Sequence, residues 1–173
     1  MIRSVKTEAI VLRKRGLLEK DVLVSLFTEA EGKVVIIAKG VKKITSRRSP
    51  HLQTGNLILT QLNLRKDIYY LEGSSLMSGF SALKSDRGRV EALFKFFYVL
   101  DRLLPERQKE QRAYNLTKSF LVKLSRFNSK EILIDFLNRL LSCLGYTKNN
   151  HNIFELEEII SELINEKPSL FRI

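Results

Sequence analysis

Within ten residues the sequence places five cations, Lys39, Lys42, Lys43, Arg47 and Arg48, and no acid occurs between Glu31 and Asp67. Like charges at this density repel one another, and a phosphate backbone is the counter-charge that suits them. Each phosphate neutralised on a single strand contributes about 0.7 to the log–log salt dependence of binding. Gly40, next to Lys39, lets the backbone turn and approach closely, while Thr45 and Ser46 offer neutral hydroxyls to phosphate oxygens. Three more cations, Arg13, Lys14 and Arg15, stand upstream. The chemistry these residues suggest is electrostatic recognition of a polyanion; the plainer alternative is a solvated loop that keeps the chain soluble.

Bond-making chemistry has less support. Glu19 and Asp21 share one face if they lie on a strand, but no third ligand or base accompanies them. A local ion pair with Lys20 or Arg13 is the expected role. Ser46, Ser49 and His51 are close in sequence, yet they lack a G-x-S-x-G elbow and an orienting acid. No P-loop and no G-x-G-x-x-G occurs. One cysteine, Cys143, and two distant histidines, His51 and His151, give neither a disulfide framework nor a zinc site. The chain is therefore expected to be no enzyme and to carry no catalytic residue, metal or cofactor. A signal-peptide core and a membrane-length apolar run are both missing, so a soluble, cytoplasmic protein without a membrane partner is expected.

The whole composition agrees with the local charge: 30 Lys+Arg stand against 19 Asp+Glu, with a sequence pI near 9.9. Residues 1–80 hold 14 Lys+Arg and 7 Asp+Glu, and residues 81–173 hold 16 and 12. The first part is the more basic per residue.

The elements that must position these residues fall into two kinds. Thr7 to Arg13, Val22 to Thr28, Val34 to Ala38, Asn56 to Leu64 and Ile68 to Leu71 read as strands, with Arg65-Lys66-Asp67 as a hairpin turn. Five strands in so short a span suit a small closed barrel of the OB type, which binds nucleic acid through cations and aromatic platforms. Tyr69 and Tyr70 are the candidates for base stacking; being adjacent on a strand they face opposite ways, so one belongs to the core.

After Gly79 the apolar period becomes helical. The stripes are Val90, Leu93, Phe94, Phe97, Leu100 and Leu104; then Ala113, Leu116, Phe120, Leu121 and Leu124; then Ile132 to Leu144, closed by Gly145; then Leu156, Ile159, Ile160 and Leu163, opened by an Asn152/Glu155 capping pair. The last helix is acidic and is expected to be solvated or to pack near cations. The fold class is thus α+β: an OB-fold barrel over residues 1–80, then an all-helical domain over 81–173.

The ordered string Thr7-Glu8-Ala9-Ile10-Val11-Leu12-Arg13, Glu19-Lys20-Asp21, Leu26-Phe27-Thr28, Gly32-Lys33-Val34, Ala38-Lys39-Gly40 with Ser46, Leu52-Gln53, Leu103-Leu104-Pro105-Glu106 and Leu144-Gly145-Tyr146 resembles the RecO family of bacterial recombination mediators. The resemblance spans roughly residues 3–146. It implies a protein that binds single- and double-stranded DNA, anneals complementary strands and acts with RecR to load RecA onto strands coated by single-stranded DNA-binding protein, in the nucleoid. By position it makes Arg13, Lys39, Lys42, Lys43, Arg47 and Arg48 the DNA-binding residues. The four-cysteine zinc module of many members does not follow Tyr146 here, so zinc is not carried over. The helical domain of the family also docks the acidic tail of single-stranded DNA-binding protein. Here the helix before Leu144 shows Ile134 and Asp135, with Arg139 its one cation past Lys130, which weakens the case for that partner. Two other readings share parts of the pattern: an adaptor that binds a protein through its helices, and an RNA-binding OB-fold protein.

Overall fold

The computed structural model describes residues 3–17, 20–42 and 46–166. Its first element, β1 (Arg3–Gly16), is long enough to serve two partners. Its second half, Ala9 to Gly16, pairs antiparallel with β2 (Val22–Thr28), and its first half, Arg3 to Ile10, with β4 (Leu57–Arg65). A register shift between Val11 and Arg13 bends the strand between these two duties. Strand β3 (Gly32–Ala38) continues from β2, and β5 (Ile68–Ser78) runs back along β4. A parallel pairing of Ile36–Ile37 with Tyr69–Tyr70 joins β3 to β5 and closes the barrel in the order β1-β2-β3-β5-β4. Closure joins the two strands that would otherwise be the sheet's edges.

Alternation along the strands fills the interior. Val11, Val24, Leu26, Ile36, Ile58 and Leu62 form its core with Tyr69. The β4–β5 hairpin turns through Lys66 and Asp67, both at positive φ, the geometry whose twist matches a tight hairpin. Strand β5 runs well past Leu71, because after a register shift between Leu62 and Gln61 of β4 the residues Gly73, Ser74 and Ser75 stay paired with that strand despite their weak strand preference.

The chain divides into two compact units: Met1–Gly79 with Pro105–Gln111, and Phe80–Leu104 with Arg112–Ile173. The second piece of the barrel unit is a strap drawn from between two helices. Glu106 bridges Lys33, and the Arg107 N–H donates to the Lys33 carbonyl at 2.8 Å. The Arg107 guanidinium donates to the Asp67 carbonyl and lies 5.4 Å from the centre of the Tyr69 ring. Gly32 (φ 70°) permits this approach, since its Cα faces the Gln108 carbonyl.

The helical unit comprises α1 (Ser81–Lys84), α2 (Arg87–Leu103), α3 (Gln111–Leu124), α4 (Ser129–Cys143) and α5 (Ile153–Ile164). Its core is a run of rings, Phe96 against Phe120 at 4.0 Å and Phe120 against Phe136 at 5.4 Å. Phe94, expected in the buried stripe, is 55% exposed; Phe96 takes the interior place because it shares a helix face with Leu93, Leu100 and Leu103. Helix α4 ends as expected at Gly145, whose N–H reaches Ser142 while Tyr146 N–H reaches Leu141. Asn152 and Glu155 form a full capping box on α5. Of the acidic residues on that side, Glu166 accepts from Tyr98 and Arg102 of α2. Among the described residues no helix is long and apolar enough to cross a membrane.

Candidate nucleic-acid interface

The connection from β3 to β4 leaves the barrel at Lys39 and is tied to the β1–β2 turn by three bonds. Gly40, at φ 67°, donates its N–H to the Asp21 carboxylate at 2.7 Å. Lys42 donates its N–H to the Lys20 carbonyl at 3.0 Å and its Nζ to the Leu17 carbonyl at 2.9 Å. Asp21 therefore holds a backbone amide of the connection; Glu19, the other acid of that expected ion pair, lies outside the described residues. In OB barrels the β1–β2 loop and the outer faces of strands 2 and 3 are where oligonucleotides lie, and here the basic connection is fastened to that loop.

The predicted cations have distinct settings. Lys39 is exposed, with its Nζ 5.1 Å from the centre of the Tyr70 ring. Arg47 is exposed and makes no hydrogen bond or ion pair among the described residues. Arg48 is half-buried: its guanidinium donates to the Lys39 carbonyl at 3.0 Å and the Leu71 carbonyl at 3.4 Å, stapling the connection to β5. Arg13 is exposed on β1 opposite Ser25. Lys43 lies outside the described residues, as do Thr45 and Glu19.

Register extends the site beyond the residues read from sequence. Arg15 pairs with Leu23, Leu23 with Ile37, and Ile37 with Tyr70. Cross-strand partners share a face, so these four side chains form one row over the outside of four strands, with the three apolar ones half-buried. Lys14, Arg15 and Lys20 are exposed near the same end of the β1–β2 hairpin. Lys20 enters the sequence reading only within the Glu19-Lys20-Asp21 motif; the hydrogen bond that brings Lys42 to its carbonyl places it at the connection.

Burial separates the two tyrosines. Tyr69 is a correction to the stacking candidates: its ring is 2% exposed, packed in the core under Arg107, with its hydroxyl donating to Glu31 at 2.9 Å. A base cannot reach it. Tyr70 faces outward in the row just described. The Ser46, Ser49 and His51 cluster does not assemble either, because the His51 Nδ1 lies 3.0 Å from Ser74 of β5 and the loop is pinned by Asn56, which donates to the Pro50 and His51 carbonyls. The arrangement as a whole is a semi-apolar strip with one aromatic ring, rimmed by cations and without an acid on the β3–β4 connection. It can hold a strand's phosphates and stack a base.

Comparison with known proteins agrees with the geometry. The family model for the N-terminal domain of recombination protein O matches residues 1–80. A DNA repair protein RecO from Caldanaerobacter subterraneus subsp. tengcongensis is 30% identical over 151 residues, covering 84% of this chain and 60% of that protein. Another from Roseiflexus sp. is 25% identical over 164 residues, covering 94% of this chain and 58% of that protein. A third, from Koribacter versatilis, is 32% identical over 121 residues, covering 69% and 50%. The chain thus spans between half and three-fifths of the length of these relatives. Sequence pattern, closed five-stranded barrel and similarity to these proteins agree, and the chain belongs to the RecO family.

Proposed function

We propose that this protein binds DNA through its barrel and serves DNA repair and recombination as a mediator rather than as an enzyme. The observation that carries the reading is the fastening of the acid-free β3–β4 connection to the β1–β2 loop, which gathers Arg13, Arg15, Lys20, Lys39, Lys42 and Arg47 beside the Tyr70 row. Lys43, in the same acid-free run, is assigned with them.

The bound form is single- or double-stranded DNA held by its backbone, since cations and one ring supply affinity without a sequence code. Neutralising two strands' phosphates on basic surfaces lowers the repulsion between them, which favours annealing of complementary strands. As the setting of that activity we propose action with RecR in the cytoplasm, and through it loading of RecA onto strands covered by single-stranded DNA-binding protein, a reading that the resemblance to the RecO family supports.

The test is annealing of complementary oligonucleotides by the wild type and by an Arg15→Gln/Lys39→Gln/Arg47→Gln variant. Arg48 and Lys42 are left intact because their hydrogen bonds hold the loop. Loss of acceleration in the variant supports the reading; equal acceleration refutes it. An RNA strand of the same sequence, bound more tightly than DNA, would turn the assignment to RNA.

A further inference from the structure

We propose that the helical unit carries a phosphate-binding cleft of its own, which takes the backbone of a nucleic-acid strand through Arg112, Arg139 and Lys148. The inference rests on the nucleic-acid reading above and adds a second surface to it. Two stretches of the helical half repeat the charge pattern of the barrel loop. Residues 111–130 hold five cations and no acid, and residues 136–154 hold Arg139 and Lys148 and no acid.

The fold brings these two stretches together along one open cleft of about 660 Å³, between α3, α4 and the loop that follows α4. Arg112, Asn115 and Ser119 come from α3, Arg139 and Ser142 from α4, and Lys148 from the loop. No carboxylate lines it among the described residues.

The loop that presents Lys148 is built rather than loose. Asn138 of α4, 6% exposed, donates to the His151 carbonyl at 2.9 Å and accepts the His151 N–H at 2.8 Å. Thr147 Oγ1 lies 2.7 Å from His151 Nε2 and accepts the Asn149 N–H at 3.2 Å, and the turn at Gly145 sets where the loop begins. The Arg112 and Lys148 side chains make no hydrogen bond or ion pair among the described residues. Arg139 lies 4.7 Å from the Phe136 ring and pairs with Asp135 at 3.5 Å. That pair is exposed, of the kind a phosphate displaces readily.

The lining selects the ligand. Cations, amides and hydroxyls dominate, and Leu116 and Cys143 are its apolar members. A phosphate backbone uses charge and neutral donors together, whereas an acidic peptide carrying apolar side chains finds no apolar seat here.

The experiment is salt-dependent anisotropy of a long oligothymidine strand on the full chain, comparing the wild type, the barrel variant of the preceding section and an Arg112→Gln/Arg139→Gln/Lys148→Gln variant. The cleft variant is expected to flatten the log–log salt slope by about 2, three contacts at about 0.7 each. Ser142→Asp, which places a carboxylate at an exposed position of the cleft, is expected to weaken binding in the same direction without removing any existing side-chain contact. An unchanged slope in the cleft variant, with the barrel variant flattened, overturns the cleft and leaves the barrel reading standing. A wild type that fails to bind at low salt overturns both. If the cleft variant binds the strand normally but loses an acidic peptide such as oligoglutamate, the cleft serves a protein and the inference fails.

Discussion

Replacing Gly32 with alanine tests the most unexpected feature of the barrel, the strap recruited from residues 105–111. Gly32 sits at φ 70°, a left-handed conformation that costs a residue with a Cβ about 1–2 kcal/mol. The new Cβ would overlap the Gln108 carbonyl oxygen and stand 2.5 Å from its carbon, so the strap has to withdraw. Withdrawal gives up the Arg107 N–H bond to Lys33, worth about 0.5–1.5 kcal/mol net, and the Arg107 contact with the Tyr69 ring, worth about 0.5–1 kcal/mol or more when desolvated. The expected loss is therefore about 2–4.5 kcal/mol, confined to the barrel unit. Chemical denaturation gives its size, and hydrogen exchange at β3 amides separates the barrel from the helical unit. Gly73→Ala is the control, because a Cβ there meets nothing within 4 Å. A Gly32→Ala protein within about 0.5 kcal/mol of that control, the range of a featureless substitution, would refute the account of the strap.

Other outcomes follow from single side chains. Tyr70→Ala is expected to weaken single-strand binding by about 1–3 kcal/mol if one base stacks on the ring, measured by anisotropy. Tyr69→Phe should leave binding unchanged and cost about 1 kcal/mol of barrel stability through its lost bond to Glu31. The hydrogen bonds from Tyr98 and Arg102 hold the Glu166 carboxyl below the ordinary carboxylate range. A carboxyl depressed in the folded state contributes stability above its unfolded pKa and loses it as pH falls through the folded value. Glu166→Gln should accordingly loosen α5 at neutral pH, with the gap from wild type closing in acid; hydrogen exchange of α5 amides across pH reads it, and a pH-independent gap contradicts it.

Local signals carried much of this architecture. Val22 to Thr28 reads as a strand from its β-branched residues, and the turn at Arg65-Lys66-Asp67 and the caps at Gly145 and Asn152 are set by neighbours a few residues away. What stayed hidden depends on partners distant in sequence. Pro105 reads as a helix break, but nothing near it says that Arg107 will cross to Lys33 and Tyr69. Helix α1 is too short to show a period. In the interface, the basic run was evident as composition, whereas its division of labour was not. Arg48 proves to be a staple between two carbonyls, and Lys20 joins the site through a backbone bond. Tyr69 and Tyr70 could be told apart only by register, which assigns Tyr69 to the interior and Tyr70 to the row with Ile37 and Leu23.

In the proposed function, DNA lies on the outer face and cationic rim of the barrel. The most direct test of this placement is the salt dependence of single-stranded DNA binding by the wild type and by Arg15→Gln/Lys39→Gln/Arg47→Gln. Steep dependence is expected for the wild type and a log–log slope shallower by about 2 in the variant, three contacts at about 0.7 each. Identical slopes, or a wild type that does not bind at low salt, would contradict it.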